Sequence, residues 1–334
     1  MPIRQFVDAL PPDGLPVSVP LKMNLNGHEP SPSAGKSLDV CLLSYRSNPF
    51  SGGQGVYVRY LSRELARRGH SVDVVSGQPY PDLADGVNLI KLPGLNLYEK
   101  ESRLDAFEPS FFTNPTDLFE WLSVTTGGFP EPYTFGRRVV QFLRKRNQSY
   151  DIIHDNQSLC YGLLALQEAG YPVVSTIHHP ITIDRQFDLA EADDAGERLL
   201  VRRWYNFLNM QSRVASSLDE IICVSESSRR DVVSDFGVDR SSTSVVHNGI
   251  DSDRFRPRNG IENSSHRLIT TASADVPLKG LKYLLRSLDT LRDDYPDLNL
   301  DVVGELNEGG ATEQLIDELD LDDREPFGSL GPVH

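Results

Sequence analysis

Short apolar runs and helically spaced apolar residues take turns along most of this chain, and the first such exchange is the most compact. Leu38-Asp39-Val40-Cys41-Leu42-Leu43-Ser44-Tyr45 reads as a buried strand. It leads into the glycine turn Ser51-Gly52-Gly53-Gln54-Gly55, after which Val56, Tyr60, Leu61 and Leu65, with Val58 beside them, fall on or near one helical face. Arg59, Arg63, Arg67 and Arg68 fall elsewhere, and Gly69 stops the helix before a second strand, Ser71-Val72-Asp73-Val74-Val75-Ser76. The order strand, turn, helix, strand predicts two parallel neighbours in one sheet. Glycines at such a turn let the backbone approach a ligand, and the helix start offers unpaired N–H groups to a phosphate or carboxylate. A turn that merely needs positive φ would use the same residues.

The alternation continues. Val87 to Leu92, Tyr150 to His154, Pro172 to Pro180, Glu220 to Ser225 and Thr243 to His247 read as strands, with helices over Leu159 to Ala169, Leu199 to Ser216 and Glu226 to Phe236. Between Pro93 and Pro132, Phe107, Phe111, Phe112, Phe119, Trp121 and Phe129 are scattered among polar residues, which predicts a satellite core or hidden helices in an unusually long connection. The polar, turn-rich stretch from Arg254 to Ser265 marks a boundary, beyond which strands Arg267 to Ser273 and Leu298 to Gly304 alternate with helices Leu278 to Leu291 and Thr312 to Leu319. Seven prolines within residues 1–36 predict a disordered extension there. The domains expected are therefore 1–36 as extension, 37–258 and 259–334, the last two each an α/β unit.

Composition narrows the function classes. With 33 basic and 48 acidic residues in 334, the net charge of −15 argues against a general nucleic-acid binder. The acidic residues are 30 Asp and 18 Glu against 26 Arg and 7 Lys, a balance that fits a high-salt cytoplasm and equally an ordinary acidic soluble protein. Cys41, Cys160 and Cys223 are isolated and read as reduced core thiols, and no apolar run is long enough to cross a bilayer. A cytoplasmic location is expected. The helix from Phe135 to Asn147 carries five cations beside an apolar face, so it could rest on an anionic membrane at about 1 kcal/mol per cation, or simply present a solvated face. Gly35-Lys36-Ser37 precedes a strand instead of opening a helix, which excludes a Walker nucleotide loop.

Several motifs together resemble family 4 glycosyltransferases, retaining enzymes of the GT-B fold. They are Gly52-Gly53 with its helix and Arg68-Gly69-His70-Ser71-Val72, Ile222-Cys223-Val224-Ser225-Glu226-Ser227, Asn248-Gly249-Ile250-Asp251 with Phe255 and Pro257, and Ser273-Ala274-Asp275-Val276-Pro277-Leu278-Lys279-Gly280. The resemblance covers roughly residues 38 to 325. It implies two Rossmann-like doubly wound parallel-sheet domains facing a cleft, the second incomplete, and transfer of a sugar from a nucleotide-sugar donor to the hydroxyl of a glycan, lipid or small-molecule acceptor. Neither a metal nor another cofactor is implied.

On this resemblance, Lys279 and Gly280 hold the donor diphosphate together with Gly52 and Gly53, and His178 contacts the transferred sugar. His179 is an alternative to it, while Ser225, Glu226, Asn248 and Gly249 line the cleft. A lysine beside unpaired helix amides is a reasonable anion site on physical grounds too. The sequence departs from the family where an arginine often precedes that lysine, since Ala274 and Asp275 stand there. The paired glutamates of the family, seven residues apart, would lie beyond His334, which implies a truncated second domain. Glu305 and Glu313 copy the spacing but follow the second strand too early, and read as a turn and a helix start. A non-catalytic nucleotide-sugar or glycan-binding remnant, or an epimerase of the same fold, remain alternatives at this level.

Overall fold

The computed structural model describes residues 36–49, 53–100, 102–146, 149–257, 260, 266–271, 279–304 and 307–321. The proline-rich extension, Gly52, the stretch 272–278 and Glu305 lie outside them. Contacts divide the chain into residues 1–36 and residues 37–334. Among the described residues no helix is long and apolar enough to cross a membrane.

Seven parallel strands form one sheet: β1 (Asp39–Ser44), β2 (Ser71–Ser76), β3 (Asn88–Lys91), β4 (Ile152–Asn156), β5 (Val173–Ile177), β6 (Glu220–Cys223) and β7 (Thr243–Val245). Their spatial order is β3-β2-β1-β4-β5-β6-β7. The order reverses between β1 and β4, which are hydrogen-bonded neighbours from Val40↔Ile152 to Leu43↔Asp155. In an open parallel sheet, the crevice outside the carboxyl ends of strands at such a reversal is where ligands bind. β1 and β2 are buried at every position but the first, because helices cover both faces.

The helices in chain order are α1 (Gly53–Arg67), α2 (Pro115–Thr125), α3 (Glu131–Lys145), α4 (Tyr161–Glu168), α5 (Thr182–Glu191), α6 (Ala195–Trp204), α7 (Phe207–Ala215) and α8 (Glu226–Phe236). A second, separate sheet pairs β8 (Arg267–Thr271) in parallel with β9 (Asn299–Val303), with α9 (Leu281–Leu291) and α10 (Ala311–Glu318) beside it. Its own core gathers Leu281, Leu285, Leu288, Leu300, Val302, Leu315 and Ile316. Glu313 stands in the first turn of α10 and accepts from the Gly309 N–H at 2.5 Å, so it serves as a helix start.

Several departures from the sequence pattern have physical causes. The fully buried residues of α1 are Gly55, Val58 and Ser62, with Leu61 and Leu65 packed partly buried beside Val58 as the pattern predicts, whereas Val56 is exposed. The helix is rolled because its start lies flush on the preceding loop: a Cβ on Gly55 would stand 2.2 Å from the Asn48 carbonyl oxygen. Gly55→Ala is therefore expected to displace the loop or the helix start and to destabilise by about 1–3 kcal/mol, as overpacking does. Denaturant unfolding checks it, and an unchanged midpoint would show that the loop gives way freely.

The helix predicted from Leu199 to Ser216 is broken at Tyr205 and Asn206, where Trp204 and Phe207 both turn onto Phe129. Packing overrides a continuous local pattern here. The periodicity reading also passed over α5, whose Ile183 and Phe187 are exposed. Between β3 and α3 the long connection holds a short helix, α2, capped by Asn114, and a small core of Leu97, Ala106 and Val124 with Trp121 against it. The basic helix α3 spends its apolar residues Phe135, Val139 and Leu143 on the main core, and its Arg138 is nearly buried between Asp117 and Glu120. Tyr133, Val140 and Phe142 of the same helix pack partly buried against that core.

Candidate active site

The candidate site lies along the carboxyl ends of β1, β4, β5 and β6, beside the reversal of the sheet order between β1 and β4. At the end of β4, Asn156, Gln157 and Ser158 are buried, and Gln157 takes a left-handed backbone with φ 54°. Such a conformation is costly for a non-glycine residue and persists only where its surroundings hold it. Asp155, fully buried, does so: Ser158 Oγ, Ser175 Oγ (2.8 Å) and the Leu159 N–H (3.0 Å) all donate to its carboxylate.

This turn grips the end of β5. The His178 N–H donates to Gln157 Oε1 at 2.7 Å, Gln157 Nε2 donates to the His179 carbonyl at 2.7 Å, and Ser228 Oγ donates to the His178 carbonyl at 2.7 Å. The His178 ring reaches Asn156 Oδ1 through Nε2 at 2.9 Å. Asn156 Nδ2 donates in turn to Ser44 Oγ at 3.4 Å, so its oxygen is the atom facing the histidine. An amide oxygen only accepts, which puts the imidazole proton on Nε2. Burial, with His179 adding to it, lowers the His178 pKa to about 4. The ring is therefore neutral at physiological pH, with Nδ1 as an acceptor.

Behind it, His154 is buried with its Nε2 2.7 Å from Thr176 Oγ1, and burial together with the neighbouring His178 brings its pKa to about 4 as well. Tyr57 of α1 approaches from the other side, its ring perpendicular to His178 at 4.7 Å between centroids and its hydroxyl 3.3 Å from Thr176 Oγ1.

Tyr57 is also a wall of a cavity of about 460 Å³, lined by α1 from Gly53 to Glu64 and by the segment Val246 to Asp251 with Phe255. Gly53, Asn248 and Gly249, which the sequence singled out separately, meet there. The Asn248-Gly249 pair runs irregularly past α1, with Gly249 outside the left-handed region, and Arg63 Nη1 lies 3.7 Å from Asp251 Oδ2. Rim charges of this kind hold a segment in place more than they stabilise it.

Other sequence candidates fall differently. His179 is exposed and lies 3.7 Å from Asp184, away from Asn156, and it is His178 that the network holds. Ser225 caps α8, its Oγ accepting from the Ser228 N–H at 3.0 Å, and Glu226 is exposed and paired with Arg229 at 2.6 Å. Lys279 is exposed beside Gly280, whose φ of 70° sets the chain into α9. No group of three His, Cys, Asp or Glu among the described residues is arranged to hold a metal ion. Sequence reasoning missed Tyr57, His154, Asn156, Gln157 and Thr176. The polar run Asn156-Gln157-Ser158 directly after an apolar strand was the available signal.

The Glycosyltransferase Family 4 model matches residues 51–254. The MMP α-(1→4)-mannosyltransferase of Mycolicibacterium hassiacum is 46% identical over 285 residues, which span 85% of this chain and 68% of that protein. The chain belongs to Glycosyltransferase Family 4. The D-inositol 3-phosphate glycosyltransferase of Kineococcus radiotolerans is 25% identical over 318 residues, 85% of this chain and 66% of that one. The chain thus spans about two thirds of the length of these two relatives. Among solved structures, the lipopolysaccharide glycosyltransferase WaaG superposes with a TM-score of 0.56 at 17% identity, covering 86% of this chain and 69% of WaaG. Anabaena Alr3699/HepE, solved with UDP, gives 0.53 at 17% identity, covering 87% and 69%. The fold of this family member is accordingly GT-B.

Proposed function

We propose that this family 4 protein transfers a hexosyl unit, a mannosyl unit by its 46% identity to the mannosyltransferase, from a nucleotide sugar to an acceptor hydroxyl with retention at the anomeric carbon. The observation that carries the reading is His178, neutral, at the end of β5 and fixed at Nε2 by Asn156, the last residue of β4, beside which the sheet order reverses. Its Nδ1 accepts a hydrogen bond from a hydroxyl of the transferred sugar, which orients the anomeric carbon. It does not act as a lone base. Lys279, the helix start after Gly280 and the glycine turn at Gly52 and Gly53 hold the diphosphate, stabilising charge as it builds on the leaving phosphate. No metal or other cofactor takes part, and the division between the sheets falls at 258/259.

Transfer from labelled nucleotide sugars of different bases tests this, with EDTA present in a parallel series. His178→Ala is expected to lower kcat about 100-fold through lost orientation, with donor KM little changed. Lys279→Ala is expected to raise donor KM about 10- to 100-fold, the worth of a charge-assisted hydrogen bond of about 1.5–3 kcal/mol. A wild-type chain that binds nucleotide sugar without ever transferring it would overturn the proposal in favour of a binding role.

A further inference from the structure

Of the contacts that hold His178, most restrain its backbone. The N–H and carbonyl are tied to Gln157 and Ser228, and the ring is tied at one nitrogen to Asn156. Hinged at a single atom, an imidazole can still swing, and what stands against its flat face or edge decides where it rests. That neighbour is Tyr57, at 4.7 Å and 87° between ring planes, the perpendicular arrangement that aromatic rings favour.

Tyr57 is itself fixed. Its hydroxyl meets Thr176 Oγ1, which also meets the buried His154 Nε2, so phenol, threonine and second histidine form one chain running inward from a part-buried tyrosine. The backbone of Tyr57 belongs to α1, four residues beyond Gly53, and its side chain closes one wall of the cavity between α1 and the 246–251 segment.

We propose that Tyr57 is a positioning residue for the transfer reaction: its ring sets the angle at which the His178 imidazole meets the sugar, and its hydroxyl anchors that ring on Thr176. The inference rests on the assignment of His178 as the group that contacts the sugar.

Two variants separate ring from hydroxyl. Tyr57→Phe keeps the ring and loses one hydrogen bond, and kcat is expected to fall about tenfold or less. Tyr57→Leu removes the ring, and kcat is expected to fall about 100-fold with donor KM unchanged within about twofold, the pattern of a misplaced group. Titration of the His178 imidazole by NMR is the second readout. Its midpoint, about 4 in the wild type, is expected to rise in Tyr57→Leu by about one unit or more as water reaches the ring, and to stay put in Tyr57→Phe. Should Tyr57→Leu fail to fold, Tyr57→Met repeats the test with a longer apolar chain.

The titration needs no turnover, so it judges the contact even where no sugar is transferred. Active wild-type protein whose Tyr57→Leu variant keeps both its kcat per folded molecule and its His178 midpoint would overturn the positioning role alone. Loss of thermal stability with those two unchanged would likewise reduce Tyr57 to a structural residue.

Discussion

Replacing Arg138 by Met is expected to destabilise the protein by about 3–5 kcal/mol, the cost of breaking a buried ion pair from one side. Arg138 donates to Glu120 and to Asp117 at 2.6 Å each, and the Glu120 side chain is 2% exposed. The other oxygen of Glu120 accepts from the Leu95 N–H at 3.0 Å, so a single carboxylate ties the start of the long connection to α2 and both to α3. Gly94 leaves room for this, since a Cβ there would stand 3.3 Å from Arg138 and 3.4 Å from Glu120. Methionine matches the arginine stem in length and leaves the carboxylate buried without its cation. At about 2–4 °C per kcal/mol for a chain of this size, the thermal midpoint should fall by about 10 °C.

The double change Arg138→Met with Glu120→Gln is expected to recover most of the loss, because the amide still accepts from Leu95 and the one carboxylate left without its cation, Asp117, keeps contact with water. A double-mutant cycle in denaturant reads the coupling directly. Coupling below about 0.5 kcal/mol would mean that the pair is not formed in solution, as for an ordinary surface bridge.

Lowering the pH from 7 to 5 is expected to destabilise the wild type only modestly, and the variant Glu131→Gln much more steeply. Two opposing linkages cause this. His154 and His178 have folded pKa values near 4, below the ordinary 6.5, so their contribution is fully present above pH 6.5 and is lost as the unfolded chain alone takes up protons between 6.5 and 4. At about 1.4 kcal/mol per unit, each costs about 2 kcal/mol by pH 5.

Glu131 works the other way. Burial pushes its pKa up to about 7 against the pull of Arg46, although Arg46 donates to both its oxygens at 2.9 Å. The folded state therefore takes up this proton before the unfolded one does, and stability is gained as the pH falls from 7 toward the ordinary 4.5. With glutamine in place that gain disappears, so the fall from pH 7 to 5 should approach about 4 kcal/mol instead of about 1–2 kcal/mol. Unfolding free energies at the two pH values check it. Equal slopes for the two proteins would show that Glu131 keeps its proton balance on unfolding.

What the sequence discloses here depends on how local the cause is. Helix α8 is legible to the residue, because Ser225 caps its start and Gly237, at φ 66°, ends it. The strands are legible because burial on both faces leaves unbroken apolar runs. The roll of α1 is not legible, since hydrophobicity favours Val56 and Tyr60 for the core while close approach to Asn48 requires Gly55 and admits Ser62. Nor is the break at Tyr205 and Asn206, which depends on Phe129, distant in sequence. The same holds for the site. His178 stands out at the end of a strand, but its partners Asn156, Tyr57 and Ser228 come from three other elements and meet only when the sheet is wound.

The three cysteines are wholly enclosed, and burial drives each thiol far from ionisation, Cys223 to about 11 and Cys160 to about 12. Thiolate is the species that alkylating dyes attack. The native molecule is therefore silent to maleimides as it stands, and one cysteine introduced on its exterior would be the sole point of attachment for a fluorophore or spin label, with no need to remove the others first.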